Sequence, residues 1–520
     1  MKANLGFGLA GIAIVVGTAV GVAQGDIEIL QSRLSSQADD HGDAYRPLEQ
    51  SFLNELAIRS GEKEAFKVAF EAGDELTELA FNASQGVGAK VGEGKRFSRF
   101  PRADLKGDGE WTTHLPKREG GPNATSCIAC HNSPGPNGAG DVALNAVVDP
   151  AHTGNPRLFL ERNTLPLLAL GVPQRLAEEM SIELATQRTR LFRQACAEGQ
   201  ASGPLKSKGV SFGSISATRQ SQTPCEVTVD WGKLEGIDKD LVVKAFGWKG
   251  NHSTIRAFTR NAAHNELGLQ AVELVGEADA DHDGVPNELS VGDLTALTVY
   301  MAALERPVTR LELAALGLEK VTSRQRGKIL KGESLFESTG CATCHVPRMK
   351  LDSAVFREPS VTPGFYDRRF PSGDDPADHR FASKSAIKFD LTDDQPNNQI
   401  RLEGGAIEKL GALSKTPDGG AMAHWFTDFK RHDMGPDLAD PSDPLGIGAR
   451  MWLTRSLAGV GSTGPWLHDG RATTLDEAIL AHDGDAQMSR KNYTLLEQPQ
   501  RQELLAFLEN LVIFKQQEAE

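Results

Sequence analysis

Two short segments of the chain contain the same three reactive residues at the same spacing. The segments read SCIACHNSPG and GCATCHVPRMK, and both hold the pattern Cys-x-x-Cys-His. The residues concerned are Cys127, Cys130 and His131 in the first segment and Cys341, Cys344 and His345 in the second. For 6 cysteines and 13 histidines in 520 residues, chance predicts about 0.002 occurrences of this pattern. Two occurrences therefore indicate a shared chemical task.

Three kinds of site use paired cysteines, and the adjacent histidine favours one of them. In c-type attachment the two thiols form thioethers with haem, and the histidine becomes the proximal ligand of the iron. A zinc site would require the two pairs to converge, yet each pair has its own histidine and the pairs are far apart in the chain. A thioredoxin-like pair would follow a strand, and neither segment follows strand-like alternation. The sequence thus predicts two covalently bound haem c groups.

Helical patterns accompany both motifs. Apolar residues recur at helical spacing from Ile329 to Phe336, and Gly340 is a typical helix stop directly before the second motif. Segments 293–307 and 500–514 each carry leucines on one face. We therefore expect a closing helix after each motif.

Composition and the first residues favour an exported protein with small partners. The chain is 39% hydrophobic and 24% charged, and its formal charge of -14 disfavours nucleic acid. Lys2 precedes an apolar run from Leu5 to Val22, a pattern typical of a cleaved signal peptide over residues 1–23. An uncleaved anchor is the alternative. Both readings predict a periplasmic location, and after cleavage no stable membrane insertion is expected.

Two cysteines lie outside the motifs. In an oxidising compartment, Cys196 and Cys225 are expected to form a disulfide, since unpaired thiols there tend to pair. Two isolated buried thiols are the alternative.

Four further segments resemble one family of exported haem proteins. They are RNTLPLLALGV (162–172), VVKAFGWKG (242–250), FTDFKRHDMGPDLAD (426–440) and GPWLHDGRATTLDEAILAHDGDA (464–486). Together with the two motifs, they resemble the di-haem oxidoreductase branch of the bacterial di-haem cytochrome c peroxidase superfamily. The resemblance extends over most of residues 100–515.

This resemblance implies a fold class and a domain division. The protein would be mainly α, with two class I cytochrome c-like domains and long loops. The first domain, residues 24–310, would hold haem 1 and contain an insertion at about 195–290. The second domain, residues 311–520, would hold haem 2.

The resemblance also implies that haem 2 is held between two histidines. In the superfamily its distal ligand follows the HDG histidine at a fixed distance, and His482 occupies that position after His468. Ligation by His345 and His482 would make haem 2 six-coordinate, low-spin and low in potential. Met434 is the competing ligand.

Other residues of the HDG segment are expected near the haem edges. The resemblance makes His468 a candidate catalytic residue beside His131. Trp466 is interpreted either as an electron path between the haems or as core packing. Arg471 is interpreted either as a partner of a haem propionate or as part of a surface ion pair.

A calcium ion between the domains is a further implication of the resemblance. The superfamily uses an Asn side chain and the carbonyls of a Thr and a Pro, and Asn163, Thr463 and Pro465 match those places. Such oxygen ligands suit Ca²⁺. A capping role for Asn163 is the alternative.

Haem 1 is the predicted reaction centre, because peroxide activation needs an exchangeable position on one haem. The distal histidine of the classical peroxidases would fall at Asn155, and His152 is close enough in sequence to replace it. An open haem 1 is the favoured interpretation. Glu178, Glu179 and Glu183 are candidate proton-transfer residues, with a solvated helix face as the alternative.

These residues predict an exported, peroxidase-like di-haem oxidoreductase. Electrons would enter at haem 2 from a small cytochrome or cupredoxin and reach peroxide or another small oxidant at haem 1. The alternatives are an oxygenase-type or protein-maturation enzyme and a non-catalytic electron carrier.

Overall fold

The computed structural model describes residues 46–88, 123–141, 145–148, 159–280, 284–382, 386–395, 398–402 and 404–514. The predicted signal peptide, His152 and Asn155 lie outside these residues. Contacts divide the chain into the units Met1–Arg46 and Pro47–Glu520, and Arg46 alone represents the first unit among the described residues. The predicted domain boundary near residue 310 stays a prediction.

Helices of very different length occur among the described residues. They are α1 (Gln50–Arg59), α2 (Glu62–Glu78), α3 (Gly171–Glu198), α4 (Ile255–Ala262), α5 (Val272–Val275), α6 (Val291–Ala303), α7 (Arg310–Ala315), α8 (Ser323–Ser338), α9 (Leu475–Leu480), α10 (Gln487–Leu495) and α11 (Gln498–Leu508). A π-helical turn, Ala263–Leu267, continues α4.

The strands of the described residues form small antiparallel sheets. They are β1 (Asn145–Val148), β2 (Phe159–Arg162), β3 (Gln200–Ser207), β4 (Val210–Gln222), β5 (Cys225–Leu234), β6 (Val308–Thr309), β7 (Met349–Leu351), β8 (Val355–Glu358), β9 (Ile387–Asp390), β10 (Gln399–Arg401), β11 (Ile407–Lys409), β12 (Ser414–Lys415), β13 (Ala421–Ala423), β14 (Arg431–Asp433), β15 (Met451–Leu453) and β16 (Leu511–Val512). The sheet orders are β1-β2, β3-β4-β5, β6-β16, β7-β13-β12, β8-β9, β10-β11 and β14-β15.

The expected mainly α fold class is wrong. The structure is 36% helical and 18% strand, with several small sheets. Most of these strands have two to four residues, which is too short for alternating hydrophobicity to reveal them in the sequence. The protein is therefore a mixed structure in which helices surround two cavities and short strands brace the connecting segments.

Helices α2 and α6 pack closely beside the first motif. A Cβ atom on Gly73 of α2 would lie only 2.4 Å from the carbonyl oxygen of Ala296 in α6, so only glycine fits this crossing. The hydroxyl of Tyr300 in α6 accepts a 2.7 Å hydrogen bond from the Asn137 side chain, which lies in the loop after the first motif. The pair therefore fixes the position of that loop.

Helices α8 and α11 form a similar crossing beside the second motif. A Cβ atom on Gly332 of α8 would lie 1.9 Å from the carbonyl oxygen of Glu503 in α11. Thr322 caps α8 through its hydroxyl, which accepts from the Gln325 backbone. The predicted helix and its stop are confirmed, because α8 ends two residues before Gly340, whose φ of +90° is left-handed.

The β3-β4-β5 sheet occupies the first part of the segment that we expected to be an insertion. Its strands pack against the long helix α3, and Phe212 and Leu205 are fully buried there. Cys196 of α3 and Cys225 of β5 form a disulfide, as expected. The bridge joins the sheet to its supporting helix.

A buried ion-pair network joins distant parts of the chain. Glu273 is fully buried, and its carboxylate accepts from Arg256 at 2.8 Å and from Arg260 at 2.7 Å. Arg256 also reaches Glu358 at 3.1 Å, and Arg260 reaches Asp367 at 2.8 Å. Each arginine is therefore shared between two carboxylates, and the network ties α4 to the segment that follows the second motif.

No helix in the described ranges is both long and apolar enough to cross a membrane.

Candidate di-haem site

The second motif forms a single tight turn directly after α8. Residues Cys341–Thr343 adopt a 3₁₀ turn, and the His345 N–H donates to the Cys341 carbonyl at 3.0 Å. Cys341, Cys344 and His345 thereby border one cavity of about 480 Å³. Both cysteines are free thiols, as thioether formation with a haem requires.

His482 shares the second cavity with His345, and the two rings fit opposite sides of one metal ion. Their centroids are 6.4 Å apart. Two imidazole nitrogens each about 2.0–2.1 Å from a metal, with each centroid about 1.1 Å behind its nitrogen, give a separation of about 6.2–6.4 Å. The Nδ1 atom of His345 faces the Phe426 carbonyl at 3.2 Å, and that of His482 faces the Ala478 carbonyl at 2.7 Å. These contacts leave both Nε2 atoms for the iron.

The protonation of the three histidines suits iron ligation. Burial lowers the pKa of His131 and of His345 to about 4. Burial also lowers the pKa of His482, and the proximity of His482 lowers the pKa of His345 further. Neutral imidazole is the form that binds a metal ion.

The first motif forms the same kind of turn beside a different cavity. The N–H groups of Cys130 and His131 donate to the Cys127 carbonyl at 3.1 and 3.0 Å. Cys127 and Cys130 are free thiols, and the three residues border a cavity of about 240 Å³ with mainly apolar walls. Among the described residues, the His131 side chain has no ring contact with a second imidazole like that between His345 and His482.

The carboxyl group of Glu266 borders the first cavity. The side chains of Asn123 and Asn145 each donate to it at 2.7 Å. Burial raises the pKa of Glu266 to about 7, against the lowering effect of these two hydrogen bonds. A proton-exchanging group with a pKa near neutrality is thus held at the wall of the cavity. His252 borders the same cavity and packs edge-on against Phe258, with centroids 5.7 Å apart.

Residues 163–166 and Trp248 form a wall shared by the two cavities. The indole N–H of Trp248 donates to the Asn163 carbonyl at 2.8 Å, and its own carbonyl accepts from Leu453 at 3.0 Å. The guanidinium of Arg455 also borders both cavities and lies over the Trp248 ring, 5.7 Å from its centroid. Trp248 is thus an aromatic side chain in contact with both candidate haem sites.

His468 is buried at the edge of the second cavity. Its ring stacks on Trp452 with centroids 4.0 Å apart and meets Trp248 edge-on at 6.4 Å. Trp466 borders the second cavity alone and donates to the Val460 carbonyl at 3.0 Å. Met434 also borders this cavity, so the second site contains both of the ligands considered from the sequence.

The three predicted proton-transfer carboxylates lie away from both cavities. Glu178 is buried against Arg175, Glu179 accepts from the backbone of residues 352 and 353, and Glu183 accepts from Ser207 at 2.6 Å. These three carboxylates therefore hold α3 against neighbouring parts of the chain.

Arg471 forms a surface ion pair, the second of the two roles considered for it. Its side chain is 48% exposed and pairs with Asp469, and it donates to the Asp437 carbonyl at 2.7 Å. It borders neither cavity.

Two of the three predicted calcium ligands, Asn163 and Pro465, contact each other in the fold. The Asn163 side-chain amide donates to the Pro465 carbonyl at 2.5 Å, and Thr463 lies on the same loop as Pro465. The Asn163 Oδ1 atom is buried and makes no hydrogen bond among the described residues. An unsatisfied carboxamide oxygen at this point suits a cation that prefers oxygen ligands.

A three-residue cluster beside the second cavity has some features of a metal site. The ligand atoms of Cys344, Asp428 and His432 all lie within 4.8 Å of one another. A structural zinc ion needs four ligands, and a Cys344 thioether would leave two. The cluster therefore fits haem attachment better than a separate metal ion.

The sequence did not single out Glu266, Trp248 or Arg455. Trp248 lies in one of the family-like segments, but nothing in that segment indicates which cavity it borders. Glu266 lies in the π-helical turn after α4, and such turns occur frequently at functional sites. Glu266 becomes a candidate site residue because the fold brings it to the cavity that the first motif borders.

One family model matches the last part of the chain. Residues 418–511 match the model of a family described as "Di-haem oxidoreductase, putative peroxidase". This segment includes His468 and His482 and neither Cys-x-x-Cys-His motif. The search of curated proteins gave no match.

Two solved structures are similar to the chain. One is described as "Kuenenia stuttgartiensis Hydrazine Synthase Pressurized with 20 bar Xenon", with a TM-score of 0.31 and 15% identity over 95% of this chain and 100% of that chain. The other is "Crystal structure of a MauG-like protein associated with microbial copper homeostasis", with a TM-score of 0.27 and 14% identity over 66% and 90%. At these TM-scores, neither similarity bears on fold or activity. The family match confirms the resemblance to di-haem oxidoreductases over residues 418–511 and supports an oxidoreductase activity.

Proposed function

We propose that this protein is an exported di-haem c oxidoreductase that reduces peroxide or a related small oxidant. Each Cys-x-x-Cys-His motif holds one haem through two thioethers, with His131 and His345 as proximal ligands. His482 is the second axial ligand at the second motif. When bound, haem supplies one-electron redox chemistry and, where a coordination position is open, activates peroxide.

The observation that carries this proposal is the inequality of the two cavities. Among the described residues, the second contains two histidines at the separation required for one iron, whereas the first contains His131, the carboxyl group of Glu266 and His252, whose ring packs against Phe258. A site closed by two imidazoles suits electron storage, and a site with a nearby acid suits bond cleavage. We therefore assign electron storage to the second motif and peroxide cleavage to the first.

Glu266 is the residue proposed to move the proton. As a carboxylate it takes a proton from peroxide that enters the first cavity, and as an acid it returns that proton to the leaving oxygen. Asn123 and Asn145 hold its two oxygens in place through their 2.7 Å hydrogen bonds. The apolar walls of the cavity exclude bulk water from this exchange.

Trp248 is the proposed contact for electrons that move between the two sites. It borders both cavities, whereas Trp466 borders the second alone. The backbone contacts with Asn163 and Leu453 fix its ring in the shared wall. His468 meets the ring edge-on and restricts its orientation.

The proposed partner is a small cytochrome or cupredoxin with a basic docking face. The acidic charge of the chain would attract such a protein. The Cys196–Cys225 disulfide is in keeping with a periplasmic location. Calcium held by Asn163, Thr463 and Pro465 is proposed to brace the wall between the cavities.

Removal of one haem at a time tests this function. Protein made with a c-type maturation system should contain two haems per chain by pyridine haemochrome absorbance. The variant Cys127→Ala/Cys130→Ala should retain one haem and lose peroxide-dependent oxidation of a reduced donor cytochrome. The matched variant Cys341→Ala/Cys344→Ala should also retain one haem but lose electron uptake from the donor.

Two results would contradict the proposal. Wild-type protein without covalent haem would exclude c-type attachment. Peroxide reduction at the wild-type rate in the Cys127→Ala/Cys130→Ala variant would exclude the first cavity as the reaction site.

A further inference from the structure

Arg455 lacks, among the described residues, the carboxylate partner that three other arginines of this structure have. Arg256 and Arg260 are each shared between two acids, and Arg162 makes a two-pronged pair with Asp440 at 2.9 Å. By contrast, the hydrogen bond found for the Arg455 side chain goes to the Gly247 carbonyl, at 3.2 Å. The Nε atom of Arg455 is inaccessible and has no hydrogen-bond partner among the described residues.

A guanidinium that is largely withdrawn from water and has no counter-ion is costly, because its charge is poorly solvated. Burial lowers the pKa of Arg455 to about 10, with no acidic side chain to oppose this effect. Arginine nonetheless stays protonated at neutral pH under such a shift. The location of Arg455 therefore suits an anion that the described residues do not supply.

The position of Arg455 indicates which anion this is. The side chain borders both candidate haem cavities and follows β15, where the Leu453 N–H bonds to the Trp248 carbonyl. Haem carries two propionate carboxylates, and a planar guanidinium with several donors can bind carboxylates on more than one edge. Arg471, which the sequence offered for this task, is exposed and already paired with Asp469.

We propose that Arg455 is a shared propionate-binding residue, which pairs with a carboxylate of the haem in each cavity and couples the electrostatics of the two sites. This inference rests on the proposed attachment of two haems. A cation close to both sites stabilises the reduced iron at each, since reduction removes one positive charge there. Arg455 thus raises both reduction potentials together and favours electron exchange across the Trp248 wall.

Redox titration of the holoprotein, followed by visible absorption, tests the assignment. The Arg455→Gln variant should shift both midpoint potentials to more negative values. The Arg455→Lys variant keeps the charge and should restore most of the shift. The matched control Arg471→Gln removes an exposed arginine from the same segment and should leave both potentials unchanged. An Arg455→Gln protein in which either potential stays at its wild-type value would overturn the shared role.

A second measurement keeps the inference testable if Arg455→Gln fails to fold. Lysine cannot reproduce the two-pronged geometry of arginine, so the propionate bending bands in the resonance Raman spectrum of Arg455→Lys should shift for both haems. Unchanged bands would overturn the inference. Haem content is measured first, because it distinguishes a failure of the proposed function from a failure of the Arg455 assignment. Absence of haem c refutes the proposed function. Two haems with unchanged potentials and bands refute the role of Arg455 alone.

Discussion

Replacement of Glu266 by glutamine should abolish the pH dependence that its carboxyl group creates. Burial raises the pKa of this group from 4.5 to about 7. At about 1.36 kcal/mol per pKa unit, the difference corresponds to about 3 kcal/mol. Below pH 4.5 the group is protonated in the folded and the unfolded chain, and its contribution to stability is fully present. As the pH rises through 7, that contribution is lost. In denaturant unfolding measured from pH 4 to pH 8, the free energy of unfolding of Glu266→Gln should not show this decrease.

The same substitution should affect peroxide reduction. If the Glu266 carboxylate takes the proton of peroxide, the wild-type rate should rise with pH around a midpoint near 7. The Glu266→Gln variant should be about 10²- to 10⁴-fold slower, the usual contribution of a proton-transfer group, and its rate should not change across this range. Glu178→Gln is the matched control, since Glu178 is a buried acid outside both cavities. A Glu266→Gln rate with the wild-type pH profile would refute the role of Glu266.

Three further perturbations test other parts of the structure. Glu273→Gln should lower the free energy of unfolding by about 3–5 kcal/mol, because it leaves Arg256 and Arg260 short of a buried partner; a loss below about 1 kcal/mol in denaturant unfolding would contradict the network. Cys225→Ser should lower it by about 3–4 kcal/mol through the loss of the disulfide loop, and wild-type protein that is equally stable under reducing conditions would argue against this. A calcium chelator should lower the melting temperature of the wild type but not of Asn163→Ala, and equal effects on both would exclude Asn163 as a ligand.

The helices beside the motifs could be predicted because their sequences contain the causes of their structure. Apolar residues of α8 recur at helical spacing, Thr322 caps its first turn and Gly340 supplies the left-handed residue after its end. The motifs could likewise be predicted as haem sites, since the spacing of two thiols and an imidazole suits one haem.

The strands and the proposed proton-transfer residue, Glu266, could not be predicted in the same way. Strands such as β6 and β16 have two residues each, and long-range pairing creates them. Glu266 and the first motif are far apart in the chain, and contacts of Asn123 with the Glu266 backbone and carboxyl group bring them together. Glu178, by contrast, lies near a recognisable motif in sequence but packs against Arg175 in the fold.

Low-temperature EPR of the oxidised protein with two haems per chain tests the central claim of two unequal sites. The structure predicts one high-spin and one low-spin signal in equal amounts. In His482→Ala the low-spin signal should disappear, and added imidazole should restore it by entering the space opposite His345. Two low-spin signals in the wild type, or a low-spin signal that survives in His482→Ala, would contradict the account.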